Sequence, residues 1–272
     1  MSIDVIIPVF NRSHLVERAI DSVLAQTFKK FNLFIVDDGS TDDLVAVLEK
    51  YTQYSNVHIL RQENKGVSAA RNFGIRHSIS EWIAFLDSDD EWLPQKLEIQ
   101  MAFSHQNPQY QFIHSDEIWM RNGVRVNPKK KFDKSSHEIF KRSLETCLIS
   151  PSTVLMKREL CLKHGCFDES FLICEDYHLW LNILVSNEVG YISEYLIKKY
   201  GGHDDQLSTK YFAMDFWRLK SLLKLLRRED LTSEQENWIR EQIEQKSALL
   251  KAGYIKHQNH AGLDELLRLM KE

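Results

Sequence analysis

The first hundred residues alternate short β-rich apolar runs with stretches of helical periodicity, and this alternation constrains the fold more than any other feature. Apolar runs rich in β-branched residues predict strands at 3–10, 32–38, 56–62 and 81–87. Apolar side chains at helical spacing predict helices at 14–27, 43–53, 67–78 and 95–105. Strands that alternate with helices of this length indicate βαβ units. We therefore expect an α/β fold built around a parallel sheet.

Beyond residue 105 the pattern becomes mixed and then helical. It predicts strands at 110–120 and 189–199, a strand running into a helix at 151–160, and a helix at 176–186. The stretch 121–135 is predicted to be a polar loop or hairpin, with Asn122-Gly123 as its turn. From about Tyr211 three helical stretches follow. We expect one domain in two halves and a helical C-terminal extension, with bounds at 1–105, 106–208 and 209–272.

Composition excludes several classes of protein. The 272 residues carry a net charge of -4 with no strongly basic half, so no nucleic-acid partner is expected. No apolar run approaches the roughly 18 residues that a membrane-spanning helix needs. The amino-terminal stretch lacks the basic region of a signal peptide. The four cysteines show no metal-type or redox spacing, which is typical of reduced thiols in a cytosolic protein.

Acidic side chains follow two of the predicted strands at the point where each strand ends. Asp37 and Asp38 end the second strand, and FLDSDDEW (85–92) places Asp87, Asp89 and Asp90 after the fourth. Ligands of open parallel sheets bind beyond the carboxyl ends of the strands. A dinucleotide site would need a glycine-rich turn after the first strand, and a P-loop would need GxxxxGK[ST]. Since the chain has neither, both of these readings are weak.

A divalent metal ion offers another way to hold a diphosphate. Asp87 and Asp89 are two residues apart, which puts both carboxylates on the same side of an extended segment. Mg²⁺ and Mn²⁺ bind one or two carboxylates together with substrate phosphates. The alternative is a solvated acidic loop that caps the helix beginning near Pro94, where acids favour the helix dipole.

Four stretches, in order and spacing, resemble the family 2 glycosyltransferases of the GT-A fold. They are VIIPVFNR (5–12), IVDDGSTDD (35–43), NKGVSAARNFGI (64–75) and FLDSDDEWLPQKL (85–97). FLICEDYHLWLNIL (171–184) and GGHDDQLS (201–208) are similar to two later motifs of that family. The resemblance implies a GT-A-like, Rossmann-related mixed and mainly parallel sheet flanked by helices, with an α-helical C-terminal extension.

The resemblance also implies a role for individual residues. Asp38 would accept a hydrogen bond from a uracil-type base, and Arg71 would lie near the diphosphate. Asp89 and His203 would be ligands of Mn²⁺ or Mg²⁺, and Asp176 would be the catalytic base. The residues expected to bind the nucleotide sugar are Pro8, Phe10, Asn11, Asp38, Gly66, Arg71, Asp87, Ser88 and Asp90. The 1–105 segment would be the nucleotide-sugar-binding half and 106–208 the acceptor-binding and catalytic half.

Each of these residues also has a purely structural interpretation. Asp38 could belong to an Asp-Gly-Ser turn, Asp176 could cap a helix, and Arg71 could be a charge on a helix face. His203 could be a histidine of a surface loop. Relatives often carry an arginine shortly before this histidine, whereas this chain has lysine, tyrosine and glycine residues there.

The resemblance implies a metal-dependent, inverting glycosyltransferase. It would transfer a sugar from a nucleoside-diphosphate donor, with UDP as the expected nucleotide, to a hydroxyl of a glycan or lipid-linked acceptor. Such a reaction would belong to cell-envelope or surface polysaccharide synthesis. The alternatives are a catalytically silent nucleotide-sugar-binding scaffold and a sugar-phosphate nucleotidyltransferase. A cytoplasmic location is expected. The basic amphipathic stretch 216–228 could contact the inner face of the membrane peripherally. It could also pack on the catalytic domain or form a homodimer through the C-terminal helices, and its neighbouring acids favour these two alternatives.

Overall fold

The computed structural model describes residues 1–135, 138–202 and 214–271. The strands are β1 (Ile3–Val9), β2 (Phe31–Asp37), β3 (Val57–Arg61), β4 (Trp82–Phe85), β5 (Glu91–Trp92), β6 (Phe112–Arg121), β7 (Val124–Val126), β8 (Leu155–Lys157) and β9 (Gly190–Gly201). The helices are α1 (Ser13–Leu24), α2 (Leu44–Glu49), α3 (Val67–His77), α4 (Lys96–Gln106), α5 (Ile139–Ser143), α6 (Arg158–Lys163), α7 (Glu175–Leu184), α8 (Met214–Leu225), α9 (Ser233–Lys256) and α10 (His260–Leu269).

The strands form one mixed sheet in the order β3-β2-β1-β4-β8-β6-β9-β5, with β7 paired to β6. The first four strands of this order are parallel, as the alternating pattern predicts. β8 then runs antiparallel to both β4 and β6, while β6 and β9 pair in parallel. The predicted α/β class with a mixed sheet and a helical C-terminal region is therefore confirmed.

The chain forms two compact units. The first comprises Met1–Ser135, Ile149–Leu172 and Glu188–Gly202, and it contains the whole sheet. The second comprises Ser136–Leu148, Ile173–Asn187 and His203–Glu272, and its described part is helical. Both units are discontinuous in sequence, whereas the division at 1–105, 106–208 and 209–272 uses consecutive stretches. That division remains a prediction.

The core of the first unit is built on β1, which is buried along its whole length. Such a strand reads as a nearly continuous apolar run because both of its faces are covered. On α1 the buried positions Val16, Ala19, Ile20 and Val23 recur at helical spacing, so one face of the helix joins the core.

Asn122 and Gly123 connect β6 to β7 in a two-residue hairpin. Both have positive φ angles, 49° and 77°, which is the conformation that the favoured two-residue hairpin turn requires. The hairpin alternative for 121–135 is therefore correct at its start. The sequence pattern did not indicate the two-residue strand β5, which pairs with the far end of β9.

In the second unit, polar contacts join the helices. Thr232 and Gln235 form a reciprocal capping box at the start of α9. Lys246 of α9 donates to the Glu145 carbonyl and to the Asp215 carboxylate of α8. Within the ranges that the structure describes, no helix combines the length and apolar character needed to cross a membrane.

Asp4 places a buried carboxylate near the amino end of the core strand β1. Its two oxygens accept hydrogen bonds from Asn32 on β2 and from the backbone and hydroxyl groups of the segment 78–80 that precedes β4. Burial raises the pKa of Asp4, but these hydrogen bonds outweigh it and hold the pKa below its ordinary value. Asp4 therefore ties three parallel strands together at their amino ends.

A second buried polar group lies on β6. His114 is fully buried, and neither ring nitrogen has a hydrogen-bond partner among the described residues. Nearby, the buried Glu117 and Lys134 form an ion pair at 3.2 Å. Burial lowers the pKa of His114 to about 3, and the Lys134 charge acts in the same direction, whereas Glu117 opposes it. His114 is therefore neutral in the folded protein.

Replacing Asp4 with alanine should destabilise the fold, because it leaves several buried donors without an acceptor. We expect Asp4→Ala to lower the free energy of unfolding by about 3 kcal/mol, as measured by urea denaturation. Asp43→Ala is the matched control, since Asp43 is exposed and makes no side-chain cap hydrogen bond. A loss for Asp4→Ala no larger than that of the control would contradict this account of the strand ends.

His114 should make the fold sensitive to mild acid. Its folded pKa lies below the ordinary 6.5, so the unfolded chain binds more protons as the pH falls from 6.5 towards 3. Between pH 6.5 and about pH 5 the native protein should lose about 1.5 kcal/mol through this group.

The pH dependence is best measured against two variants. His114→Phe should flatten the decline in unfolding free energy between pH 6.5 and about pH 5, whereas His105→Gln, at an exposed position, should leave it as in the native protein. Parallel declines for native protein and His114→Phe would show that His114 is not the group responsible.

Candidate functional site

The carboxyl ends of four parallel strands meet at one edge of the sheet. Val9 of β1 lies opposite Asp37 of β2, which in turn lies opposite Arg61 of β3. β4 ends at Phe85, opposite Ile6 of β1. The segments that follow these strands carry most of the predicted binding residues, so the register of the sheet brings four distant parts of the sequence to one place.

Asp38 connects the segment after β2 to the segment after β3. One carboxylate oxygen accepts from the Gln62 side chain at 2.7 Å and from the Lys65 amide at 3.0 Å. The other accepts from the Gly66 amide at 2.8 Å. The structure thus brings the predicted residues Asp38 and Gly66 together, and Asp38 orders the chain that leads into α3.

Gly39 lies where two backbone segments approach closely. Its φ angle is 77°, and a Cβ atom there would lie 2.8 Å from the Asn64 amide nitrogen. A side chain at this position would therefore clash with backbone as well as strain the turn. Gly39 lines a surface pocket beside Asp38 together with Arg61, Gln62, Glu63 and Asn64.

The three residues at the end of β1 that were predicted to bind the nucleotide sugar occupy different environments. Pro8 is buried within β1, opposite Val36. Phe10 is 42% exposed. Asn11 adopts a positive φ of 52°, its amide donates to the Ser40 hydroxyl, and its side-chain oxygen accepts from the Thr41 amide. Asn11 thereby links the ends of β1 and β2 and leaves the Phe10 ring at the surface.

Two arginines face the acidic segment after β4. Arg71 of α3 pairs with Asp87 at 2.7 Å, and Arg12 pairs with Asp89 at 3.0 Å. Arg12 also lies 3.4 Å from the Ser88 hydroxyl, a predicted binding residue that is buried. The charges of Asp87 and Asp89, which nothing within the segment itself neutralises, are thus compensated by cations from the segments after β1 and β3.

Asp90 is nearly inaccessible and is held from both sides. One carboxylate oxygen accepts from the Ser152 hydroxyl at 2.6 Å and the other from the Tyr200 amide at 3.0 Å. Burial raises the pKa of Asp90 well above its ordinary value, and the charges of Asp89 and Asp87 raise it further. These contacts show Asp90 bridging the acidic segment to the end of β9, while a role in binding sugar remains a prediction.

Arg71 is fixed by more than its ion pair. Its side chain is 3% exposed, and its guanidinium lies 5.0 Å from the centre of the Phe167 ring. Asn72, the next residue, donates to the Phe167 carbonyl and accepts from the Phe167 amide. Arg71 is therefore held in a defined orientation, with its guanidinium paired to the Asp87 carboxylate.

Several residues that sequence analysis did not single out belong to this edge. Ser152 donates to Asp90 and accepts from the Asp87 amide. Arg18 of α1 donates to the Asp89 carbonyl and stacks on Tyr200 at 3.7 Å. Arg12 had a sequence signal, since it lies in VIIPVFNR, shortly after a predicted strand end. Ser152 and Arg18 lie outside the motifs that carry the resemblance, and nothing nearby in the chain marks their distant partners.

The acidic segment fits a divalent metal ion in the type of its ligands. Asp87 is partly exposed, with 28% of its side chain accessible, and Asp89 is buried apart from 11% of its side chain. The carboxylate oxygens of both suit Mg²⁺ and Mn²⁺. Across the described ranges, no three His, Cys, Asp or Glu side chains converge on a metal-binding geometry. One or two carboxylates suffice, however, when phosphate oxygens and water complete the coordination.

Asp176 and His203 are the two remaining predicted residues. Asp176 is in the first turn of α7, in the second unit, and is partly exposed. One of its oxygens accepts from the Tyr177 amide at 2.7 Å and the other from the Cys147 thiol at 3.4 Å. His203, predicted as a metal ligand, lies outside the described residues.

The sequence model of the family described as glycosyl transferase family 2 matches residues 4–165. An uncharacterized glycosyltransferase of Rickettsia felis is 37% identical over 202 residues, which cover 72% of this chain and 32% of the relative. The chain thus spans about a third of the length of that relative. WfgD of Escherichia coli, a UDP-Glc:alpha-D-GlcNAc-diphosphoundecaprenol beta-1,3-glucosyltransferase, is 31% identical over 212 residues, which cover 77% of this chain and 81% of WfgD.

Solved structures match the fold. S. aureus TarS 1-349 in complex with UDP-GlcNAc matches with a TM-score of 0.80 at 19% identity. The match covers 98% of this chain and 80% of the TarS chain. The mannosyltransferase PcManGT from Pyrobaculum calidifontis, in complex with GDP-Man and Mn2+, has a TM-score of 0.65 at 16% identity and covers 99% of this chain and 74% of its own. At these identities the likeness shows a common fold.

Removing the Asp38 carboxylate should loosen the segment 62–66. The amides of Lys65 and Gly66 donate to Asp38, so Asp38→Ala should accelerate their hydrogen exchange about tenfold or more. Glu63→Ala, in the same segment but exposed, is the control and should leave both rates unchanged. Unchanged exchange in Asp38→Ala would mean that other contacts order this segment.

Proposed function

The chain belongs to glycosyl transferase family 2, and from that premise we propose that it transfers a sugar from a UDP-sugar to a hydroxyl of a lipid-linked glycan with inversion at the anomeric carbon. The observation that carries this proposal is the edge of the sheet where Asp38, Asp87 and Asp89 gather with Arg12 and Arg71. Acidic groups for a metal ion and cationic groups for phosphate lie there together.

The nucleotide would occupy the pocket beside Asp38. Gly39 and the segment 61–64 line this pocket, and the exposed Phe10 ring follows the adjacent strand β1. An aromatic face at the surface can stack against a base. Asp38 would act by ordering the pocket and by presenting a carboxylate edge to a ring N–H, which a uracil base has.

The diphosphate would lie at the acidic segment. Asp89, with Asp87 as a second ligand or as an acceptor from ribose, would hold Mn²⁺ or Mg²⁺. His203 is the further ligand that the family resemblance implies. When bound, such an ion neutralises charge on the leaving diphosphate. Arg71 would hold Asp87 in place and contribute positive charge close to the phosphates.

Asp176 would act as the general base. In a single displacement the acceptor oxygen attacks the anomeric carbon while the bond from that carbon to the diphosphate oxygen breaks. The acceptor proton passes to the Asp176 carboxylate, and the nucleoside diphosphate leaves with the bonding electron pair. The partial exposure of Asp176 and its place in the first turn of α7 are compatible with this role.

The acceptor is proposed from the relatives. WfgD carries in its name a GlcNAc-diphosphoundecaprenol acceptor and a UDP-Glc donor, and it matches most of this chain. We therefore infer glucose or a similar hexose as the sugar and an undecaprenol-diphosphate glycan as the acceptor, as in the assembly of cell-envelope polysaccharide. Contact with the membrane surface where such an acceptor resides is part of this proposal.

UDP binding tests the donor half of the proposal. Calorimetric titration of UDP in the presence of Mn²⁺ should give a micromolar dissociation constant that weakens at least tenfold when EDTA replaces the metal. Asp89→Asn should behave like the EDTA sample, whereas Asp43→Asn, an exposed aspartate after β2, should bind as the native protein does. Equal binding with and without metal would remove the metal from the proposal.

Asp176→Asn tests the chemical step. Because a carboxamide cannot accept the acceptor proton, release of UDP from UDP-glucose in the presence of a GlcNAc-diphospholipid should fall by 10²-fold to 10⁴-fold. UDP binding should remain within about twofold of the native protein. Full turnover by Asp176→Asn would assign the base elsewhere, and absence of turnover in the native protein with intact UDP binding would favour the catalytically silent scaffold.

A further inference from the structure

Arg12 is anchored by its backbone at the start of α1. It is the N-cap residue of that helix, and its carbonyl accepts from the amides of Leu15 and Val16 at 3.0 and 3.1 Å. From this fixed origin its side chain reaches the acidic segment, with one guanidinium nitrogen 3.0 Å from an Asp89 carboxylate oxygen.

Arg18 binds the same residue differently. Its guanidinium donates to the backbone carbonyl of Asp89 rather than to the carboxylate, and it stacks on the Tyr200 ring. Two arginines linked to one helix therefore act on Asp89. Arg18 holds the main chain in place, while Arg12 compensates the charge of the side chain.

The contact with Arg12 has a direct electrostatic consequence for metal binding. A divalent ion binds a carboxylate oxygen at about 2 Å. A guanidinium at 3.0 Å from Asp89 would then be a few ångströms from the ion, and the two cations would repel one another. Arg12 and a metal ion thus compete for Asp89.

The environment of Arg12 permits such an exchange. The side chains of Arg12 and Asp89 are 16% and 11% exposed, so solvent reaches the pair. Arg71 provides the contrast, because it is 3% exposed and lies against Phe167. The long side chain of Arg12 can turn about its fixed backbone, and its planar guanidinium matches a phosphate as well as a carboxylate.

We propose that Arg12 is an exchangeable counter-ion of Asp89 that couples metal binding to donor binding. Without donor, Arg12 pairs with Asp89 and weakens the affinity of the site for a metal ion. When the diphosphate enters with the metal, the Arg12 guanidinium leaves Asp89 and pairs with the phosphates instead. This inference rests on the proposed function, since it needs the metal and the diphosphate at this edge of the sheet.

Coupling of this kind is reciprocal. If the diphosphate draws Arg12 away from Asp89, the diphosphate strengthens metal binding by the same factor by which the metal strengthens diphosphate binding. Part of that factor comes from the direct contact of metal and phosphate and does not depend on Arg12. The part that does depend on Arg12 is therefore the difference between the native protein and an Arg12 variant.

The experiment measures the affinity for Mn²⁺ alone and then with saturating UDP, by the electron paramagnetic resonance signal of free Mn²⁺. Arg12→Gln should bind Mn²⁺ alone about tenfold more tightly than the native protein, because a competing cation is gone. The tightening of Mn²⁺ binding by UDP should be about tenfold smaller in Arg12→Gln than in the native protein.

Arg76→Gln is the matched control. It removes the same charge, but Arg76 of α3 is exposed and its ion-pair partner is Glu169. Its affinity for Mn²⁺ alone should stay within about threefold of the native value. Equal tightening in Arg12→Gln and Arg76→Gln would mean that only the general loss of positive charge matters, and it would overturn the proposal.

Two further outcomes separate the inference from the function on which it rests. Native protein that binds Mn²⁺ with UDP, alongside Arg12→Gln with unchanged or weaker affinity for Mn²⁺ alone, overturns the role of Arg12 and leaves the proposed function standing. Native protein that binds neither Mn²⁺ nor UDP overturns the proposed function and the inference with it.

Arg12→Lys serves if Arg12→Gln fails to fold. It keeps the charge, so its affinity for Mn²⁺ alone should match the native protein while the coupling to UDP falls.

Discussion

The register of β1 against β2 and β4 is the constraint on which the site depends. Val9 lies opposite Asp37 while Phe85 lies opposite Ile6, so β4 ends three positions earlier along β1 than β2 does. The acidic segment therefore begins before β1 and β2 end, and its Asp89 pairs with Arg12, which follows β1. Asp4 sets the same register at the other end of the strands, because its oxygens bind both β2 and the turn that enters β4. A slip by one residue would leave that carboxylate buried without donors.

Charge compensation then determines how the edge of the sheet is organised. Three carboxylates within four residues are tolerated because each has a different kind of partner: an arginine from a helix interior, an arginine at a helix start, and a hydroxyl with a backbone amide. The first and last of these partners are buried and fixed. The middle one is partly exposed, which makes Asp89 the carboxylate whose partner can change.

The sequence predicts the order of elements well in the first hundred residues, because strands buried on both faces and amphipathic helices have distinct periodicities. The turn at Asn122 and Gly123 is equally visible, since both residue types tolerate positive φ angles. It does not reveal β5, whose two residues are too few to carry a period, or the contacts of Arg18 and Ser152, which depend on the packing of distant segments. The family resemblance points to the acids of the candidate site and to Arg71, but not to the other protein groups that hold those acids.

The bridge through Asp90 limits how the molecule can be divided. Its donors, Ser152 and Tyr200, lie 62 and 110 residues further along the chain. A fragment ending near residue 105 would contain all four parallel strands and every acid of the segment, yet its most buried carboxylate would have lost both donors. The segment 1–105, which sequence predicts as the nucleotide-sugar-binding half, is therefore not self-sufficient. Recombining it with the second half of a relative would succeed only where that relative supplies a hydroxyl and a backbone amide at the same two places.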